Sequence, residues 1–191
     1  MVFPQSTTIR CKKAAQSSCL PFHCSPIRKF SPLSLYYFAY GSNMNPERLV
    51  ARGVTVLEAQ SAYLPDVALR FNKRSATPGC GHANVCYEPG GRVEGVLYRF
   101  GADDDFRKLD RFEQTPVNYS REILPLVADG VSHRAWVYIG NRAVLAEGLK
   151  PERWYMKHLL AGAGFLSDAY LQFLLAFDCI EHDPQDRPLH L

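Results

Sequence analysis

The apolar pattern begins abruptly at residue 35. Leu35-Tyr36-Tyr37-Phe38-Ala39-Tyr40 is a short run of aromatic and aliphatic residues that reads as a buried strand. Gly41 ends it. Asn45-Pro46-Glu47 then carries the marks of a helix start: a capping side chain, a proline suited to the first helical position, and an acid at the positive end of the dipole. That helix should stop near Gly53. Further strands are expected near residues 56–63, 67–72 and 83–87, from Val93 to Phe100, from Tyr119 to Val127 and from His133 to Ile139. Pro89-Gly90-Gly91 predicts a turn between two of them. Phe106, Leu109 and Phe112 fall three apart and predict a helix over Asp104–Phe112. A last helix should run from the cap Ser167 to about Phe177, with Tyr170, Leu171, Leu174 and Phe177 at helical spacing.

Strands dominate the middle of this pattern, and helices appear early, between strands and at the end. The regular strand–helix alternation of a doubly wound sheet is absent. The expected class is therefore α+β, with a mixed, mostly antiparallel β-barrel-like sheet and a few flanking helices. With 191 residues, 47% of them hydrophobic and 12% aromatic, the chain has enough apolar material for one such domain with an extension. Residues 1–34 form that extension. They are rich in Ser, Pro and Cys and contain no acid, so they read as a disordered tail, an organelle transit peptide or an upstream extension without a catalytic role. The folded domain is expected over 35–180 and a loose tail over 181–191.

Charge sharpens this division. Arg10, Lys12, Lys13, Arg28 and Lys29 give residues 1–36 a charge of +5. Subtracting that from the total of +3 leaves −2 for the remainder. A mildly acidic domain lacks the clustered positive charge that nucleic acid requires, so no nucleic-acid partner is expected. No stretch of about 18 apolar residues predicts a membrane span. The six cysteines contain no Cys-x-x-Cys pair, and the histidines show no His-x-x-x-His spacing, so no metal is expected. The cysteines read as free thiols of a reducing, cytoplasmic compartment. Asp103-Asp104-Asp105 suits a helix N-terminus rather than a cation site.

Two segments carry candidate chemistry. Tyr40-Gly41-Ser42-Asn43-Met44 joins a buried strand to a helix start. Such a junction aims several backbone N–H groups one way, and Gly41 admits a close approach to the main chain. It suits a carboxylate or a developing oxyanion; a tight turn with an ordinary cap is the competing reading. The second segment is Leu109-Asp110-Arg111-Phe112-Glu113. Glu113 falls at the negative end of a predicted helix, and an apolar surrounding would push its pKa up into the range useful for general acid–base work. A solvated surface Glu is the alternative.

Taken together, the Tyr-Gly-Ser-Asn-Met segment and the Leu-Asp-x-x-Glu segment some seventy residues later resemble the γ-glutamylcyclotransferase family. Gly81-His82-Ala83-Asn84-Val85, Pro89-Gly90-Gly91 and Val93-Glu94-Gly95-Val96-Leu97-Tyr98 look like that family's two central strands and their turn. Tyr119, Tyr155, Gly162-Ala163 and Tyr170-Leu171 extend the likeness, which covers about residues 36–177. The resemblance implies a small barrel-containing α+β fold working without metal or cofactor. It implies that Tyr40, Gly41, Ser42, Asn43, Met44 and Asn45 line a substrate pocket, with Tyr119 and Tyr155 beside it, and that Glu113 is the catalytic acid–base. Two positions depart from the family pattern: Gln114 stands where Gly often follows the catalytic Glu, and Met44 where Leu is common.

The activity so implied converts a γ-glutamyl amino acid or amine into 5-oxoproline and a free amine. The substrate's own α-amine attacks the γ-carbonyl while Glu113 moves the proton. The partner is then a small γ-glutamyl molecule, and the protein a monomer or homodimer. Within enzymes, the alternatives are a γ-glutamylamine- or glutathione-directed cyclotransferase. Outside them, the alternative is a pocket that binds γ-glutamyl compounds without turnover.

Overall fold

The aromatic run at residue 36 opens the first strand, β1 (Tyr36–Ala39), in a computed structural model that describes residues 35–181. The extension expected over 1–34 and the tail after Glu181 lie outside the described residues. Gly41 leads into a single 3₁₀ turn (Ser42–Met44) and then α1 (Pro46–Ala51). Asn45 caps α1 by accepting from the Glu47 N–H, and Pro46 opens it, as the sequence predicts. Two long strands follow, β2 (Val56–Arg74) and β3 (Gly81–Phe100), then α2 (Asp104–Phe112), β4 (Tyr119–Ala128) and β5 (Val131–Gly140). The chain ends with α3 (Arg153–Leu160) and α4 (Asp168–Leu175), the latter capped by Ser167 accepting from the Tyr170 N–H.

The five strands form a closed barrel in the order β1-β3-β2-β4-β5. Only the seam between β1 and β5 is parallel, at Tyr37 against Trp136. The rest is antiparallel, so the expected mixed, mostly antiparallel barrel is the observed fold. Closure removes the unpaired edges that an open sheet would expose. Phe38, Leu64, Val93, Val96, Leu97, Tyr98, Phe100 and Val137 fill the core, and Leu109, Met156, Leu159 and Leu174 seal it from the helices.

One expectation is corrected. Pro89-Gly90-Gly91 does not turn the chain between separate strands. The segments expected at 83–87 and 93–100 are one strand, and those expected at 56–63 and 67–72 are its partner. Pairing passes from Pro65–Arg92 to Val67–Tyr87, so Asp66 alone faces residues 88–91. Turn residues are absorbed here as a large bulge because the ladder resumes on the same neighbour. Asp66 has φ 56°, Gly90 has φ 76°, and the Gly90 N–H donates to Asp66 Oδ1 at 2.9 Å. The true reversal lies at 75–80, where Ser75 N–H donates to the Cys80 carbonyl.

Gly95 marks a tight approach of two strands. A Cβ placed on it would stand 2.2 Å from the Ala39 carbonyl oxygen and 2.8 Å from Phe38 Cζ. Because backbone rather than a flexible side chain fills the space, Gly95→Ala must push β1 away from β3. The expected result is a loss of about 1–3 kcal/mol in urea unfolding, read as a lower midpoint at unchanged slope.

Candidate active site

The bend after β1 exists because Gly41 leaves no side chain in a crowded place. A Cβ there would meet the Tyr155 hydroxyl at 3.0 Å and Ala83 Cβ at 3.2 Å. The Tyr155 oxygen occupies the approach to the Gly41 main chain. It accepts the Ala83 N–H at 3.1 Å and also receives the Ser42 N–H. With two donors filling the oxygen's lone pairs, the phenolic proton is the group left to face outward.

Glu113 is the C-cap of α2, at the negative end of that helix. Its amide donates to the Leu109 carbonyl, and its side chain reaches the bend. Asn43 Nδ2 donates to Glu113 Oε1 at 3.0 Å, and Arg52 Nη1 donates to the same oxygen at 3.0 Å. Arg52 also donates to Asn43 Oδ1 at 2.9 Å, while Asn43 Nδ2 donates to the Tyr37 hydroxyl at 2.9 Å. The Arg52 guanidinium lies over the Phe112 ring, 4.7 Å from its centroid. The Arg52 side chain is 4% exposed and that of Glu113 is 16% exposed. One oxygen of the carboxylate is thus fixed twice, and Oε2 has no protein partner among the described residues. The carboxyl does not face the apolar wall considered from sequence; its neighbours are a guanidinium, an amide and phenols.

Tyr40, Gly41, Ser42, Asn43, Tyr119, Tyr155 and Glu113 border one cavity of about 30 Å³, joined there by Tyr37, Tyr138 and Ala83. Burial raises all five phenols, Tyr155 to about 12, so they stay protonated at neutral pH and Glu113 is the only carboxylate on this wall. Met44 and Asn45 do not border it, contrary to the resemblance. The 3₁₀ turn carries Met44 inward, where it is fully buried against Gly162 and its carbonyl accepts from the Tyr98 hydroxyl. Asn45 is occupied in capping α1 and in contact with His158.

A volume of 30 Å³ holds one water, not a glutamyl chain. The room lies outside, in a cleft of about 550 Å³ that shares Ser42, Glu113, Tyr119 and Tyr155 with the small cavity. That size is in the ordinary range for a small-molecule site. Arg48, Arg52, Lys73, Arg74 and Trp154 line its other walls. Gln114, beside Glu113, has φ 52°. Glycine adopts that left-handed region without strain, and Gln114 adopts it with a side chain in place.

Sequence reasoning missed Arg52, Arg48, Tyr37 and Tyr138. Arg48 and Arg52 did leave a signal: they stand four apart on a short helix, where like charges repel unless both face an anion. Their joint field also reaches His158, which lies 3.4 Å from Arg48 Nη1. Burial first, then Arg48 and Arg52, lower the His158 pKa from 6.5 to about 4. The folded state therefore holds this imidazole neutral while the unfolded chain protonates it. Stability should be complete above pH 6.5, fall as pH drops from 6.5 towards 4, and lose no more to this group below that. The imidazole is only partly buried, so the loss is about 1 kcal/mol. Unfolding midpoints of wild type and His158→Gln across pH 4–8 check this: the difference should converge at low pH.

Among the described residues no three His, Cys, Asp or Glu side chains converge as a metal ion requires, and no helix is long and apolar enough to cross a membrane. The site is thus one anchored carboxylate, several buried hydroxyl groups and a polar cleft on an α+β barrel. Residues 37–156 match the family model described as gamma-glutamyl cyclotransferase, AIG2-like, and the chain belongs to that family. A Bos taurus protein named gamma-glutamylcyclotransferase is 33% identical over 96 residues, which are 48% of this chain and 50% of the relative. The chain thus spans about half the length of that relative. An uncharacterized Homo sapiens protein of known structure superposes with a TM-score of 0.70 at 24% identity, over 81% of this chain and 94% of its own. A solved structure described as gamma-glutamyl cyclotransferase gives 0.68 at 23%, over 80% and 92%. These two likenesses carry the fold.

Proposed function

We propose that the protein is a γ-glutamylcyclotransferase-type enzyme that converts a γ-glutamyl amino acid or amine into 5-oxoproline and the free amine. The observation that carries this reading is the doubly anchored Glu113 carboxylate, held by Asn43 and Arg52 on the wall shared by the small cavity and the cleft. Its free Oε2 is the atom that exchanges protons.

In the proposed reaction the substrate lies in the cleft with its γ-carbonyl at the mouth of the small cavity. Its α-amine nitrogen bonds to the γ-carbon, and Oε2 takes the proton that this nitrogen sheds. The carbonyl oxygen becomes an oxyanion, for which the Tyr155 O–H is a preorganised donor; the Ser42 amide, part of the bend that the sequence suggests for either a carboxylate or an oxyanion, is spent on Tyr155 itself. The oxyanion then collapses, the original amide C–N bond breaks, and Glu113 gives its proton to the departing nitrogen. No water is consumed, and the carboxyl returns to its starting state. Folding the glutamyl chain so that amine and carbonyl meet supplies much of the acceleration, of order 7–11 kcal/mol in favourable cases. Proton transfer by a positioned carboxyl adds about 10²–10⁴-fold.

The test is 5-oxoproline release from a γ-glutamyl amino acid, γ-glutamyl-ε-lysine and glutathione, measured side by side on the full chain. Release from at least one donor is expected. Thermal stabilisation by these compounds with no 5-oxoproline formed would instead identify a binding module without turnover.

A further inference from the structure

Lys73 is a cation of the cleft wall with no counter-ion among the described residues. It lies near the end of β2, opposite His82 of β3, and only 7% of the residue is exposed. Its ammonium sits 5.5 Å from the centroid of the Tyr119 ring and makes no ion pair or side-chain hydrogen bond with any described residue. Burial lowers its pKa, and the charge of Glu113 opposes that shift. Glu113 acts on it only at a distance: the ion pair of that carboxylate is with Arg52, through Oε1. A largely buried side chain that presents an unpaired ammonium to a cleft is placed to receive an anionic group of a ligand.

Its place in the site says which part of a ligand. Lys73 borders the outer cleft and not the small cavity, whereas Tyr119 borders both. The Tyr119 hydroxyl donates to the Ala83 carbonyl on the inner side, and its ring meets Lys73 on the outer. The glutamyl head must bring its amine to Glu113, so what lies beyond the scissile bond extends into the cleft. Arg74 adds a second positive charge there.

Resting on the cyclisation reading, we propose that Lys73 is a specificity-determining residue that receives the carboxylate of the leaving amino acid. Donors whose leaving amine carries an α-carboxylate are then preferred over those whose leaving amine is neutral or cationic at that end. A charge-assisted hydrogen bond of this kind corresponds to a preference of about 10- to 100-fold.

The experiment compares kcat/KM for γ-glutamylalanine and γ-glutamylalaninamide, which differ only in that carboxylate. Wild type should prefer the acid by about 10- to 100-fold. In Lys73→Met the preference should fall below about threefold, chiefly through a higher KM for the acid. Lys73→Arg should restore most of it. Using the ratio of two substrates cancels any loss of folded protein. A wild type that does not prefer the acid overturns the assignment without need of a variant. So does Lys73→Met losing both donors equally, the result expected if the ammonium holds the γ-glutamyl α-carboxylate or only supports Tyr119. A wild type inactive on both donors while remaining folded overturns the cyclisation reading, and this assignment with it.

Discussion

Glu113→Gln should lower kcat for 5-oxoproline release by about 10²–10⁴-fold and leave KM within a few-fold, because it removes the proposed proton carrier and little else. Glutamine is close in shape. Its amide oxygen can still accept from Asn43 Nδ2 and Arg52 Nη1, so the bend and α2 stay in register. What disappears is an acceptor that can be protonated and deprotonated within one turnover. No other side chain on the cavity wall can substitute, since the remaining ionisable groups there are phenols raised by burial. Some stability is lost as Arg52 exchanges a carboxylate for an amide, about 1–3 kcal/mol. Steady-state kinetics together with urea unfolding separate the two effects. A variant that forms 5-oxoproline at the wild-type rate removes Glu113 from the mechanism.

Arg52→Met is the second large effect, and it acts through position. One guanidinium nitrogen bonds both Asn43 Oδ1 and Glu113 Oε1, so the single change releases the bend and the carboxylate together. Breaking a buried pair by removing one partner typically costs about 3–5 kcal/mol, and the partial exposure of Glu113 puts this case near 3. A carboxyl free to move by an ångström loses about 10²-fold in kcat even though it is still present. The double variant Arg52→Met/Glu113→Gln tests the coupling: its stability loss should be smaller than the sum of the single losses, because the second change removes the charge that the first left unpaired. Strict additivity would mean that the ion pair contributes nothing to positioning.

What could be read from the sequence was local. Asn45 and Pro46 announce α1 within three residues, and Phe106, Leu109 and Phe112 announce α2 by spacing alone. Glu113 draws notice by ending that helix, but a solvated surface Glu fits that position as well, and only the resemblance carried by the two motifs together singles it out. What could not be read depends on partners far along the chain. Pro89-Gly90-Gly91 has turn composition whether it closes a hairpin or forms a bulge; pairing with Pro65 and Val67 decides between them. Arg52 is one basic residue among 22 until the fold brings Glu113, sixty-one positions later, to its side. Tyr37 and Tyr138 look like ordinary core aromatics because the cavity opens inside the barrel wall. Met44 belongs to the same motif as Asn43, yet a 3₁₀ step rotates it into the core, so sequence adjacency and shared lining diverge at that residue.

The parallel seam has a consequence for synthesis. A ribosome delivers β1 first, but its antiparallel neighbours are residues 96–99 and its other flank waits for Trp136. Until residues 96–99 are made the opening strand is therefore an aromatic ribbon with both backbone edges unpaired, and one edge stays open until Trp136 follows, the kind of segment that chaperones shield and that nucleates association between chains. Ring closure therefore waits for the last of the five strands, and truncated products ending before residue 136 should be insoluble although most of their strands have been made.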